Sequence, residues 1–305
     1  MKLLLLSLLF ALTSISSQAQ YKHDSLKTEK GFLHYYVKGQ GKAVIFVQGG
    51  PDYSSAYMKE ITDSMTGIQC ILLDFQGTGR SNYGNVSPDW VTNENMIKDL
   101  ELVRKKLGIT RCTLVGHSYG ATHALHYAVE YPQYVDKVIT IASAGTNSRF
   151  QEHFTENILS KISMDERRRL QELRAAEASK ESDGMGEADM IFLKGYFYNP
   201  EKIPVLFGRI AADELSGMFN PKFHQAYWAN KDNPTFDIQE RVLKMNIPVR
   251  MIESWQDPCY DGRQWVLNEK LKDSQIKFIN ESGHFPWIEQ PEKFFQLLRE
   301  YVFQD

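Results

Sequence analysis

The chain predicts an α/β fold: a mostly parallel sheet flanked by helices, with an inserted helical cap. Three observations lead there. Short, wholly apolar runs alternate with amphipathic helical segments from residue 43 to residue 142, the pattern of parallel strands covered on both faces. That alternation stops near Gly145 and resumes at Ile247, with helical patterning between. Ser118, Asp257 and His284 each follow an apolar run directly, and groups at the carboxyl ends of parallel strands converge in space.

In chain order, residues 33–37 (Leu-His-Tyr-Tyr-Val) read as an aromatic-rich strand, closed by the turn Gly39-Gln40-Gly41. Residues 43–47 form a buried strand that ends in Gln48-Gly49-Gly50-Pro51-Asp52, where backbone can approach a ligand closely. A helix over 56–65 leads to the strand 70–73. Met96, Leu100, Val103 and Leu107 mark an amphipathic helix capped by Thr92 or Asn93 and stopped by Gly108. The run Thr113-Leu114-Val115 then breaks into Gly116-His117-Ser118-Tyr119-Gly120, a strand, sharp turn and helix with Ser118 at the apex. A strand at 135–142 follows.

The insertion holds helices over 154–162, after a capping box at Ser163-Met164-Asp165-Glu166, over 190–198 following a Gly-Met-Gly break at 184–186, and over 221–228. Strands at 248–254 and 275–279 bracket a helix over 261–271. A closing helix carries Phe294, Phe295, Leu298 and Tyr301. The expected divisions are a leader at 1–19, a core at 20–145 and 247–305, and the cap at 146–246.

The 305 residues are 42% hydrophobic and 24% charged, with formal net charge -3, an ordinary globular balance without the basic stripe of a nucleic-acid binder. Residues 1–19 combine Lys2, an apolar run over 3–15 and the small-x-small site Ser17-Gln18-Ala19, which reads as a secretory signal peptide cut after Ala19. As a membrane anchor the run is too short to cross about 30 Å. The mature chain is expected to be secreted or periplasmic, without stable membrane insertion. Cys70, Cys112 and Cys259 form neither a disulfide framework nor a zinc pattern. No metal motif or dinucleotide fingerprint is present, so no cofactor is expected.

The three strand-end residues suit nucleophilic acyl transfer. A serine hydroxyl needs a base to take its proton, and His284 supplies an imidazole. Asp257 would hold the other ring nitrogen, with Asp261 and Glu253 as alternative acids. The N–H groups of Gly50 and Tyr119 would meet the oxyanion.

These motifs resemble the α/β-hydrolases with a helical cap, specifically the proline iminopeptidase-like branch. The likeness rests on Gln-Gly-Gly-Pro at 48–51, Asp-Phe-Gln-Gly-Thr-Gly-Arg-Ser at 74–81, Gly-His-Ser-Tyr-Gly at the elbow, and Ser-Gly-His-Phe-Pro-Trp-Ile-Glu-Gln-Pro at 282–291. Gln48 stands where the family has histidine, Asp52 where it has glycine, and Phe75-Gln76 where it has Gln-Arg. Gly-His-Ser-Tyr-Gly replaces Gly-Gly-Ser-Trp-Gly, and the strand at 135–142 lacks the family's arginine. The resemblance implies a serine hydrolase acting on a small-molecule or short-peptide substrate, first an aminopeptidase, alternatively a carboxylesterase or lactonase. A non-catalytic binding protein is disfavoured by the intact Ser, Asp and His set. In resembling peptidases cap carboxylates bind the substrate amine. Here Glu214 and Glu187 are the expected ones, from candidates that include Asp189 and Asp213. Tyr196, Phe197, Tyr198, Tyr227 and Trp228 are candidates for an apolar pocket. In the usual strand order Cys70 and Cys112 sit two strands apart, roughly 9.5 Å, beyond the ~7 Å reach of a disulfide.

Overall fold

The computed structural model describes residues 20–82, 84, 86–177, 186–215 and 217–304. The expected leader, and residues 184 and 185 of the expected helix break, lie outside the described residues. Eight strands form one sheet: β1 (Lys22–Thr28), β2 (Gly31–Gly39), β3 (Lys42–Val47), β4 (Ile68–Leu73), β5 (Cys112–His117), β6 (Val135–Ile141), β7 (Val249–Ser254) and β8 (Ser274–Ile279). Their order is β1-β2-β4-β3-β5-β6-β7-β8. The β1–β2 and β2–β4 pairs are antiparallel, and every pair from β4 to β8 is parallel.

The apolar runs became the central strands because both sheet faces are covered. β5 is buried at every position. One core cluster, with Ile45, Leu114 and Val138, lies under the helices Asn93–Lys106 and Tyr119–Glu130. The other, with Phe46, Val115 and Trp287, lies against the closing helix Pro291–Phe303. β1 has no counterpart in the sequence reading. Its residues Lys-His-Asp-Ser-Leu-Lys-Thr carry no apolar alternation, and its strand conformation comes from pairing with β2 at the sheet edge.

β3 lies between β4 and β5, and Cys70 and Cys112 are free and buried, as is Cys259. The helix expected over 56–65 is a 3₁₀ turn, Ser55–Met58, followed by the short helix Lys59–Asp63. Thr92 caps Asn93–Lys106 through the Asn95 N–H.

Between β6 and β7 the chain forms helices, chief among them Gln151–Ser160, Met164–Glu177, Glu187–Lys194, Ile203–Gly208 and Pro221–Ala229. Ser163 and Glu166 close the expected capping box: the Ser163 hydroxyl accepts from the Glu166 N–H, and the Glu166 carboxylate accepts from the Ser163 N–H. The helix expected at 190–198 begins earlier, at Glu187, because Asp189 accepts from the Gly186 N–H at 2.9 Å. The insertion owns one small cluster, Ile162, Leu170, Ala188 and Ile191. Its other apolar residues merge with the sheet's two cores: Phe197, Ile203 and Leu206 with one, Phe223 and Tyr227 with the other. No helix among the described residues is long and apolar enough to cross a membrane.

Candidate active site

Ser118 sits between β5 and the helix Tyr119–Glu130 with φ 57 and ψ -126, a sparsely populated conformation for a residue with a side chain. The flanking glycines make the corner possible. A Cβ on Gly116 would lie 2.4 Å from the Gly120 carbonyl oxygen, and one on Gly120 would lie 2.2 Å from the Val47 carbonyl oxygen. The helix axis can therefore press against the end of β3. Three hydrogen bonds fix the apex: Ser118 N–H to the Ile141 carbonyl at 2.9 Å, and the Ala121 and Ala144 N–H groups to the Ser118 carbonyl at 3.1 and 3.2 Å.

Asp257 and His284 come from the loops after β7 and β8. His284 Nδ1 lies 2.9 Å from Asp257 Oδ1, with the two side chains 3% and 0% exposed. Asp257 Oδ1 also accepts from the Cys259 N–H at 2.8 Å. The alternative acids have other partners: Asp261 binds Arg263, and Glu253 accepts from the Ser143 N–H at 3.1 Å. Burial, with the nearby Asp257 charge, pushes the Glu253 carboxyl well above its ordinary value, which favours the neutral acid beneath the site. The His284 N–H donates to the Tyr196 carbonyl at 2.7 Å. Glu289 accepts from the N–H groups of Gly283, Tyr198 and Asn199, tying the histidine loop to the insertion.

Ser118, Tyr119, Gly50 and His284 line one cavity of about 570 Å³, within the range of small-molecule sites. Ser118 Oγ makes no hydrogen bond to His284 in this structure, a spacing that commonly tightens only with substrate in place. The N–H groups of Gly50 and Tyr119 have no partner among the described residues. Tyr119 N–H belongs to the open first turn of its helix, where the backbone dipoles favour negative charge.

The sequence reading assigned no role to His117 or Tyr57, and the structure gives them one. His117 Nε2 lies 2.9 Å from the His284 carbonyl, which can only accept, so Nε2 carries the hydrogen. His117 Nδ1 then accepts from the Tyr57 hydroxyl at 2.8 Å, and that hydroxyl accepts from the Gly49 N–H at 2.7 Å. Burial, helped by the neighbouring His284, holds His117 well below the ordinary histidine value, which suits a neutral relay between the glycine loop and the histidine loop.

The structure places the expected cap carboxylates away from the cavity. Glu187 is exposed and pairs with Arg169 at 2.7 Å, and Glu214 pairs with Lys59. Neither lines the cavity. Asp213 pairs with Arg80 at 2.8 Å. Among the described residues, the carboxylates that do line it are Asp189, two residues along the helix from Glu187, and Asp52 from the glycine loop. Tyr196 and Trp228 reach the cavity, whereas Phe197 and Tyr227 are core and Tyr198 is exposed. Phe150, Phe154, Phe192, Phe219 and Phe285 complete an aromatic wall that helical periodicity alone does not single out. Among the described residues, Asp257, Cys259 and His284 are the one group with donor atoms close enough for a metal ion, all within 4.8 Å. Two of them are already bonded to each other, and burial pushes the Cys259 thiol well up.

Residues 42–291 match the alpha/beta hydrolase fold family. The chain is 24% identical over 287 residues to a proline iminopeptidase of Saccharolobus solfataricus, covering 88% of this chain and 87% of that one. It is 25% identical over 292 residues to a proline iminopeptidase of Clostridioides difficile, covering 90% and 95%. The solved structure of a proline iminopeptidase-related protein from Thermus thermophilus superposes with a TM-score of 0.72 at 20% identity, covering 92% of this chain and 96% of that one. With the sheet order, the elbow and the match over most of its length, the chain belongs to the alpha/beta hydrolase fold family, as a hydrolase similar to the proline iminopeptidases.

Proposed function

We propose that the protein is an exported serine hydrolase that works through an acyl-enzyme on Ser118, with N-terminal aminopeptidase activity as the leading reading. The observation that carries it is the 2.9 Å Asp257–His284 pair opening on the same cavity as a serine held at φ 57. With Nδ1–H held by Asp257, His284 Nε2 takes the Ser118 proton as Oγ attacks the carbonyl. The oxyanion is received by the Gly50 and Tyr119 N–H groups. His284 then returns the proton to the leaving amine, and water repeats the sequence to release the acyl group. Curated relatives of peptidase name over nearly the whole chain support the substrate class. The leader at 1–19 supports a secreted or periplasmic location.

The carboxylesterase reading is favoured by one observation, the aromatic wall of the cavity. Comparing kcat/KM for free and N-acetylated aminoacyl arylamides with that for a short-chain ester separates the two. A peptidase loses activity when the amine is blocked. Equal turnover of acetylated amides or plain esters replaces the peptidase reading with the esterase one.

A further inference from the structure

Asp52 stands where the resembling family has glycine, and acyl transfer at Ser118 gives it no part. Its residue is 1% exposed, and its carboxylate folds back over the glycine loop. A Cβ on Gly50, whose φ is +116, would lie 2.6 Å from Asp52 Oδ1 and 2.5 Å from the Asp52 amide nitrogen. A bare carboxylate against one of the two oxyanion donors would oppose the negative charge that develops there, in surroundings that screen poorly. A buried carboxylate also needs a partner to be tolerated.

That partner is His224, whose Nδ1 lies 3.1 Å from Asp52 Oδ2. The helix Pro221–Ala229 carries it to the cavity wall with its side chain 49% exposed, beside the rings of Phe219 and Trp228. Backbone contacts bring the same two segments together. Ser54 N–H donates to the Met218 carbonyl at 2.8 Å, Asn220 N–H donates to the Asp52 carbonyl at 3.2 Å, and Tyr53 bridges Phe219.

We propose that His224 is a positioning residue for the oxyanion hole: its imidazolium, paired with Asp52, cancels the carboxylate's charge beside Gly50 and secures the glycine loop to the helix Pro221–Ala229. The proposal rests on reading Gly50 as an oxyanion donor. The charged groups facing His224 are Asp52 and, from the helix Glu187–Lys194, Asp189; Arg174 also lines the cavity. Burial disfavours the imidazolium, but the hydrogen bond and charge of Asp52, with Asp189 adding to them, outweigh it and raise His224 above the ordinary histidine value. The cation is therefore present below that raised value and lost as pH climbs through it. Above it Asp52 stands uncompensated and acylation slows.

The test follows Ser118 acylation by p-nitrophenyl acetate from about pH 5.5 to about 9 in wild type, Ser118→Ala, His224→Ala, His224→Asn and the double variant Asp52→Asn/His224→Ala. His224→Ala should lower the acylation rate constant roughly ten- to a hundredfold, less than deleting an oxyanion donor outright, with KM little changed. The alkaline decline should vanish with the imidazole, and removing the carboxylate as well should recover most of the lost rate. His224→Asn keeps a neutral donor toward Asp52 and, lacking the charge, should be slow at every pH. Wild-type acylation by His224→Asn overturns the proposal, and so does a double variant no faster than His224→Ala. If Ser118→Ala still acylates, the reading of the site itself falls. If Ser118→Ala is inert while the His224 variants match wild type, only this inference falls.

Discussion

Two aspartate–histidine pairs open on the same cavity. Asp257–His284 spans 2.9 Å and Asp52–His224 spans 3.1 Å, and the difference between them lies in how they are mounted. The first pair stands on loops that leave adjacent parallel strands, β7 and β8, and both side chains are almost fully buried. The second joins a core loop to a helix of the insertion, with a buried carboxylate and a half-exposed ring. A base fixed by the sheet keeps one orientation because moving it means moving a strand end. A ring on the insertion stays within reach of solvent and protons, which suits adjusting a charge more than passing a proton between the nucleophile and the leaving group. Chemistry is thus expected to depend on the sheet-mounted groups, and rate tuning and selectivity on the insertion.

The largest test of that division is Ser118→Ala, which should lower kcat by about 10⁴-fold or more with the fold intact. A fluorophosphonate should label wild type at Ser118 and leave the variant unmodified, as read by peptide mass mapping. His284→Ala should be nearly as damaging, because members of such a unit fail together. If either variant keeps more than about a tenth of wild-type turnover, well above the loss expected when a triad member is removed, the sheet-mounted set is not the reacting one.

Next is the backbone of the elbow. In Gly120→Ala the added methyl would sit 2.2 Å from the Val47 carbonyl oxygen and 2.4 Å from that of Gln48. Because both obstacles are backbone, the substitution should cost about 3 kcal/mol or more, at or above the upper end of ordinary overpacking. Urea unfolding measures it, and an unchanged midpoint would mean that the helix does not press on β3 as described.

A smaller effect is expected from Glu253→Gln. Burial in the folded chain raises this carboxyl's affinity for the proton, whereas the unfolded chain releases the proton above about pH 4.3. Wild-type stability contributed by this group is therefore present at low pH and declines as pH rises toward the folded value. Glutamine keeps an acceptor for the Ser143 N–H without that decline. The variant should match wild type near pH 4 and melt roughly 2–4 °C higher at neutral pH. A difference that shrinks as pH rises would contradict the raised proton affinity.

The smallest effect belongs to Glu214→Gln. Since Glu214 is engaged by Lys59 and lies off the cavity, kcat/KM toward free-amine substrates should change less than about twofold, the loss of a partly exposed ion pair amounting to roughly 1 kcal/mol of stability at most. A tenfold loss of kcat/KM would return Glu214 to the substrate site and blur the contrast between the two regions.

What could be read from residues alone was whatever depends on near neighbours in the chain. The alternation of apolar runs and helical faces settles α/β topology because each strand and helix declares its own period. The capping box at Ser163 and Glu166, and the elbow at Gly116, Ser118 and Gly120, are likewise complete within a few residues. Strand-end placement was enough to draw Ser118, Asp257 and His284 together, since parallel strands share one carboxyl edge. β1 escaped because its polar residues take their conformation from β2. Packing decided the rest. Along the chain Asp257 is the first choice of acid, but Glu253 and Asp261 stay open beside it, and only the path of the loop after β7 brings Asp257 to His284. The same holds for charge: Glu187 and Glu214 look like amine ligands until Arg169 and Lys59, 18 and 155 residues away in sequence, pair with them, while Asp52 and His224 become a pair only when the insertion folds onto the glycine loop. Ion pairs and cavity walls form between groups separated by long stretches of chain, and local periodicity carries no information about which distant partner arrives.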